Sequence, residues 1–363
     1  MIDEHAYSTM MDAILFLAMV SMCALILSPA IFNSSRERAV SDAYLRDMAS
    51  SSLRSMAVER VDFFEYRILG DQADSIARSA GIDPQSELYS GMTAAVLGRG
   101  SRHKTVMDIL AEVAACRQSI RLNDGLIALN PLTVDYDARA AGLADSTIRR
   151  SLDDRYAYNF SIRWTPYANV PFEGSFYSGS PVPEAAESSS AYVCMPYTTE
   201  IDGEYIEKLI GPELREIRRL TILTENTGDE ESLRDGLRTH LHVCLVKMAD
   251  ASTAEVLNYT AGRIIKNDDP SDPLRLLKSF AGSAPPESTI SPVLSARSIL
   301  PQMVVEWNRP YEEILSEHIA SGVIEGTVDG DEAADMIVRW LRSIYDPSRG
   351  RACLCIWVDD HAL

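Results

Sequence analysis

Residues 13–35 read AILFLAMVSMCALILSPAIFNSS, a run of 23 residues without a charged side chain. An α-helix rises about 1.5 Å per residue, so the strongly apolar part, 13–32, covers roughly the 30 Å thickness of a bilayer's hydrocarbon core. The flank before it is acidic (Asp3, Glu4 and Asp12), and no small-residue cleavage site follows, which disfavours a secretory signal peptide. The stretch therefore predicts a retained transmembrane helix. The alternative is a buried core helix, although such helices normally carry polar positions on one face.

The composition fits one such anchor in the lipid bilayer and a solvated remainder. The chain has 363 residues, enough for one large or two modest domains, and a formal net charge of −19. This acidity argues against binding to nucleic acid and to anionic lipid head groups. Of the six cysteines, one lies in the apolar run and five lie outside it, without a CxxC pair. Buried thiols are expected, with one or two disulfides as the alternative if the domain lies outside the cytoplasm.

Two signals disagree on which side of a membrane the domain lies. Four arginines from Arg36 to Arg54 follow the apolar run and none precedes it, which by the positive-inside rule places the domain in the cytoplasm. Three Asn-x-Ser/Thr sequons, at Asn33, Asn159 and Asn258, are candidate N-glycosylation sites and favour the extracytoplasmic side. Long domains translocate largely regardless of flanking charge.

The segment from Asp3 to Thr9, DEHAYST, leads almost directly into the apolar run. This pattern resembles the mature N-terminus of archaeal type IV pilin-like and Tad-type pseudopilin proteins. The resemblance covers about the first 35 residues and tips the balance towards an extracytoplasmic domain. It implies a helix that lies in the membrane before assembly and in a filament core afterwards. In that family an acidic residue pairs with the free amine of a neighbouring subunit, and Glu4 matches this position best. The alternative is that Glu4 is a solvated residue at a chain end.

Two departures from the family qualify this resemblance. The basic leader that a prepilin peptidase removes is missing here, so either the start was placed late or the chain is a leaderless relative that does not polymerise. The chain is also far longer than a major pilin. This length, with a resemblance limited to about the first 35 residues, favours a minor or accessory component. Its implied partners are pilin-like subunits and the proteins of a secretion or assembly platform.

The remaining pattern predicts a helix-rich α+β fold with a small antiparallel sheet. We expect an amphipathic helix over 36–69 that ends at Gly70, and further helices follow. Alternation of aromatic and polar residues over 156–164 predicts a strand, with further strands near 175–177, 190–197 and 352–358. The predicted division is an acidic segment (1–12), a transmembrane helix (13–35), a helical stalk and layer (36–150), a strand-rich block (151–200) and a helix-rich region ending in a strand (201–363). The other predicted helices are 75–80, 86–97, 104–122, 144–152, 204–224, 233–248 (with a strand over 241–246 as the alternative), 253–265, 273–280, 310–323 and 331–345.

The search for chemistry predicts no catalytic site, no cofactor and no metal centre. His240 and His242 would share one face of a strand and could begin a metal site, but on a helix they would diverge, and no third ligand is suitably spaced. Cys353 and Cys355 would share a strand face on which a disulfide would be strained. The Tyr-rich block around 156–197 is either a core with its edge or a glycan-binding face.

The sequence therefore supports two hypotheses. The first is a non-catalytic surface protein at the cell membrane, a minor or accessory component of an archaeal type IV or Tad-like filament system. The second is a membrane-anchored binding or regulatory module that does not polymerise.

Overall fold

A computed structural model describes residues 4–67, 74, 77–122, 125–128, 134–184, 186–264 and 291–358. For residues 4–12 and 24–38, within the first helix, it describes the backbone alone. The described helices are α1 (Glu4–Val58), α2 (Glu87–Leu97), α3 (Val106–Cys116), α4 (Val134–Arg149), α5 (Gly203–Leu209), α6 (Gly211–Thr227), α7 (Glu230–Ile264), α8 (Ser291–Ile324) and α9 (Gly330–Ile344). The described strands are β1 (Arg60–Arg67), β2 (Gly98–Thr105), β3 (Gln118–Leu122), β4 (Gly125–Ala128), β5 (Tyr156–Trp164), β6 (Phe172–Gly179), β7 (Glu187–Cys194) and β8 (Arg349–Val358).

The structure contradicts the prediction of a transmembrane helix. Among the described residues, no helix combines the length with the apolar character that a bilayer crossing needs. α1 is long, at 55 residues. From residue 39 onward the same helix carries charged side chains such as Asp42 and Arg46. The fold-class prediction is therefore wrong in its transmembrane helix, while the described elements are α+β.

The larger sheet has six antiparallel strands in the order β4-β3-β6-β5-β8-β7. The last described strand, β8, lies between β5 and β7, next to the edge of the sheet. β5 alternates as its sequence requires, with Tyr156, Tyr158, Phe160, Ile162 and Trp164 buried on the inner face. The sequence prediction of a strand over 156–164 is confirmed.

The core lies between the inner face of this sheet and three helices, α1, α3 and α4. α3 is buried along almost its whole length, and a reciprocal capping box between Thr105 and Asp108 fixes its start. The second half of α1 packs against β7 and β8 through Leu45, Ala49 and Leu53, which are at most 6% exposed. Their spacing of four residues places them on one face of the helix.

A helical layer joins this sheet through an aromatic cluster. α7 packs against α8, and α6 packs against α7 and α9. Trp164 of β5 stacks on Tyr197 at a centroid distance of 4.6 Å, and Tyr197 contacts Tyr259 of α7 at 3.9 Å. Tyr345, which follows α9, donates a hydrogen bond from its hydroxyl to Glu255 Oε1 of α7 at 2.9 Å. The sheet and the helices therefore share one hydrophobic core.

Several predicted helices have different bounds in the structure. The helix predicted over 36–69 ends at Val58 and is followed by β1, which pairs with β2. The reason is that Phe64 and Tyr66 alternate as buried residues there, a strand period that overrides the helical spacing. The helix predicted over 104–122 is α3 followed by β3. Residues 241–246 are helical within α7, so the strand alternative is wrong. The predicted helix over 273–280 lies outside the described residues, and the five-part domain division stays a prediction.

Candidate functional site

The first part of α1 presents an apolar surface that the domain does not cover. Every side chain from Ala13 to Cys23 is exposed. Ile14, Leu15, Phe16 and Leu17 follow one another in the chain, and each is more than half exposed. Because successive residues on a helix are rotated by about 100°, these four side chains point to all sides of the axis. The surface of residues 13–23 is therefore apolar on all sides of the helix and not on one face only, and we call it the apolar cylinder.

The second part of α1 is fixed to the domain by polar contacts as well as by apolar packing. Arg46 Nη2 donates to Glu187 Oε2 of β7 at 2.7 Å. The hydroxyls of Ser52 and Ser151 are hydrogen-bonded at 2.8 Å. Just beyond the helix end, Glu59 accepts a hydrogen bond from Arg150 Nη2 at 2.6 Å. The helix is thus held along the half that follows the exposed cylinder.

The four site residues predicted from the sequence do not come together in one described site. Glu4 is the first residue of α1 and Asn33 lies within it, and their side chains are outside the described part of the chain. Asn159 is half-buried on β5, and its Nδ2 donates to the backbone oxygen of Ser180 at 2.8 Å. Asn258 is exposed on α7. Glycosylation and subunit pairing at these residues stay predictions.

The two histidines lie on a helix rather than on a strand. His240 and His242 are both in α7, where residues two positions apart do not face each other. His242 Nδ1 is 3.4 Å from Glu312 Oε2 of α8. Within the described ranges, no group of three or more His, Cys, Asp or Glu residues is placed to hold a metal ion.

Cys353 and Cys355 lie on the outer face of β8, as the strand prediction requires. Their Sγ atoms are 4.0 Å apart and both residues are half-buried. Burial, together with the neighbouring Cys353 thiol, raises the pKa of Cys355 to about 11. A raised pKa keeps the thiol protonated at neutral pH and makes it a weak nucleophile.

A basic surface on the larger sheet was not predicted from the sequence. We call it the arginine face, and it consists of Arg163, Arg349 and Arg351 with Tyr177 and Tyr192 beside them. These residues line an open cavity of about 530 Å³ on the outer side of the larger sheet. Its sequence signal is the Arg-x-Arg pattern at the start of β8, where alternate residues share one face. That pattern could be interpreted only with the β5–β8 pairing known.

The described chain thus offers two surfaces with distinct chemistry. The apolar cylinder of α1 can bury hydrocarbon surface against other helices, and the arginine face can bind negatively charged groups. No protein-family model, no curated protein and no solved structure matches this chain.

Proposed function

We propose that this protein is a non-catalytic minor or accessory component of an archaeal type IV or Tad-like filament system. In this proposal the apolar cylinder of α1 packs among the equivalent helices of neighbouring subunits. The observation that carries it is the continuity of α1, whose first part is apolar and uncovered and whose second part belongs to the domain core.

The distribution of apolar side chains favours several neighbouring helices over one. Complete burial of a large aliphatic or aromatic side chain contributes about 1.5–3 kcal/mol. A single partner helix covers one side of α1 and would leave part of the set from Ile14 to Leu17 in water. A helix that is apolar all round is normally surrounded by other apolar elements. A filament core, in which each helix has neighbours on several sides, meets this requirement.

The proposed localisation is the cell surface, with the domain on the extracytoplasmic side. Glu4 would there pair with the terminal amine of a neighbouring subunit, since an unpaired charge among packed apolar helices is costly. The proposed partners are pilin-like subunits and proteins of the assembly platform. The alternative function is a binding or regulatory module in which α1 does not polymerise.

Cys23 allows a direct test, since it is an exposed thiol at the end of the described apolar run. Full-length chain carrying Cys194→Ser, which removes the other exposed thiol, would be expressed in cells and treated with copper phenanthroline. If α1 helices pack side by side, we expect disulfide-linked dimers that disappear on reduction. The matched control is the double variant Cys23→Ser/Cys194→Ser, which has neither exposed thiol and should give none.

The alternative predicts a different result. If the Cys194→Ser variant stays monomeric under oxidation, polymerisation through α1 is wrong and the non-polymerising module is favoured. Protease treatment of intact cells, with glycan analysis of Asn159 and Asn258, tests the localisation separately. Protection of an unmodified domain would place it in the cytoplasm and contradict the filament proposal.

A further inference from the structure

The arginine face lies on the outer side of the larger sheet, away from the core. We propose that it is a binding site for an acidic carbohydrate, a sugar chain that carries carboxylate groups such as uronic acids. This inference is independent of whether α1 polymerises.

The positive charges of the arginine face are arranged unfavourably. Arg163 on β5 lies directly opposite Arg351 on β8. Arg349, two residues before Arg351, lies on the same face of β8. Like charges placed directly opposite on neighbouring strands destabilise a sheet. Three arginines also converge here although the chain as a whole carries a net charge of −19. A bound anion would relieve this repulsion.

The carboxylates next to these arginines offset the charge only in part. Glu173 Oε2 is 3.6 Å from Arg163 Nε, but Arg121 contacts the same carboxylate at 3.0 Å. Asp346 Oδ2 is 4.0 Å from Arg349 Nε, the long limit of an ion pair. Among the residues that line the cavity, Asp346 is the single carboxylate against three guanidinium groups.

The shape of the side chains also indicates the kind of ligand. A guanidinium group binds a carboxylate through two parallel hydrogen bonds, which favours carboxylate ligands over diffuse negative charge. Tyr192 is 85% exposed and Tyr177 is 46% exposed, so both rings are accessible to a ligand. They lie on β7 and β6, with β5 and β8 between them, so about 14 Å separates their strands. Two exposed rings that flank a basic groove can pack against the apolar faces of sugar rings.

The position of the arginines in the sheet distinguishes a sugar chain from an acidic peptide. Extended peptides commonly bind by adding a strand to a free sheet edge, where their backbone groups find partners. The three arginines instead lie on β5 and β8, whose backbone groups are already paired on both sides, and of the arginine face only Tyr192 lies on the edge strand β7. A sugar chain has hydroxyl groups on its rim and needs no such edge.

The test uses full-length protein and isothermal titration calorimetry with a short oligogalacturonate, against the same oligomer with its carboxylates methyl-esterified. We expect binding of the acidic oligomer alone, weakening as salt is raised. Arg351→Ala should lower the affinity by about tenfold. Arg351→Lys should restore only part of the lost affinity, since lysine keeps the charge but cannot form two parallel hydrogen bonds to a carboxylate. Tyr192→Ala should also weaken binding. Because Tyr192 is exposed, this variant should fold like the wild type, and thermal melts check this for each variant.

Arg339→Ala is the matched control, since Arg339 is exposed on α9 outside the cavity. The proposal is overturned if the esterified oligomer binds equally well, if Arg339→Ala weakens binding as much as Arg351→Ala, or if neither oligomer binds. Tighter binding of polyglutamate, with no effect of Tyr192→Ala, would also overturn it and indicate an acidic-peptide site. None of these outcomes affects the Cys23 cross-linking result, so the two proposals fail separately.

Discussion

The indole Nε1 of Trp164 donates a hydrogen bond to the backbone oxygen of Pro347 at 2.9 Å, across 183 residues of chain. Trp164 is the last residue of β5 and is completely buried, and Pro347 lies in the turn that leads into β8. The contact therefore fixes the final strand beside β5 at the end where the arginine face begins. It also satisfies a polar group of the indole that burial would otherwise leave unpaired.

The first prediction concerns this hydrogen bond. Trp164→Phe keeps an aromatic ring but removes the donor and some volume, so we expect a loss of about 2–4 kcal/mol in the free energy of unfolding. Chemical denaturation of the purified protein measures this. Trp307→Phe is the control, since Trp307 is half exposed on α8 and should change stability by less than about 0.5 kcal/mol. Equal effects would contradict the structural role assigned to Trp164.

The second prediction concerns a buried ion pair. Lys104 Nζ contacts Glu112 Oε2, and the Glu112 side chain is only 2% exposed. Removing one partner leaves a buried charge without that compensation, so Lys104→Met should destabilise the fold by about 3 kcal/mol. Adding Glu112→Leu should recover part of that loss, because the double variant buries no charge at this position. A double-mutant cycle by denaturation measures the coupling.

The exposed pair Arg219–Glu216 on α6 is the matched control for that cycle. Exposed ion pairs contribute about 0–1 kcal/mol, so the coupling energy of Arg219 and Glu216 should be close to zero. If both cycles gave the same small coupling, the Lys104–Glu112 contact would be unimportant for stability.

The sequence predicted those elements whose pattern is decided locally. The strand over 156–164 and the helix ending at Leu97 follow from alternation and from the glycine stop, and both are confirmed. The helix predicted over 36–69 is wrong after Val58, because burial of Phe64 and Tyr66 against α4 depends on tertiary packing. The position of β8 between β5 and β7 likewise depends on contacts between residues far apart in the chain, which local sequence patterns do not predict.

The candidate surfaces differ in the same way. The apolar cylinder of α1 is visible in the sequence because its residues are consecutive. The arginine face is not, since Arg163 and Arg351 are far apart in the chain and meet only through the register of two strands. The His240-x-His242 pattern misleads for the opposite reason: it has a local spacing that is meaningful on a strand, and the residues form a helix.

The third prediction is a pH dependence of stability from Glu312. Burial raises the pKa of this carboxyl above its ordinary value of 4.5, although His242 and Arg309 nearby act in the opposite direction. Above pH 4.5 the unfolded chain releases a proton that the folded chain still holds, so the folded state binds more protons. This contribution therefore lowers the free energy of unfolding as the pH rises from 4.5 through the folded pKa, and it is constant above that.

Denaturation of the wild type and of Glu312→Gln between pH 4 and 8 tests this contribution. The variant cannot ionise at this position, so its stability should exceed that of the wild type increasingly towards neutral pH. A difference between the two proteins that does not change with pH would contradict the shifted titration of Glu312.

The fourth prediction is an order of thiol reactivity. Cys244 is fully buried, and burial raises its pKa to about 12. Cys194 is exposed at the end of β7. Since alkylation requires an accessible thiolate, iodoacetamide at pH 8 should modify Cys194 well before Cys244, which should react only after denaturation. Peptide mass spectrometry over time measures the order. Early labelling of Cys244 in the folded protein would contradict its placement in the core.

The last prediction separates the two parts of α1 with one type of substitution. Met56 is completely buried, so Met56→Ala should cost about 2–5 kcal/mol of domain stability through lost burial and a cavity. Met22 is 65% exposed, so Met22→Ala should change domain stability by less than about 0.5 kcal/mol. If α1 packs among neighbouring helices, Met22→Ala should instead reduce the Cys23 cross-linked dimer, whereas Met56→Ala in the fraction that folds should not. Denaturation and cross-linking on the same preparations distinguish the two effects. Loss of domain stability in Met22→Ala would show that the apolar cylinder packs on its own domain rather than on other subunits.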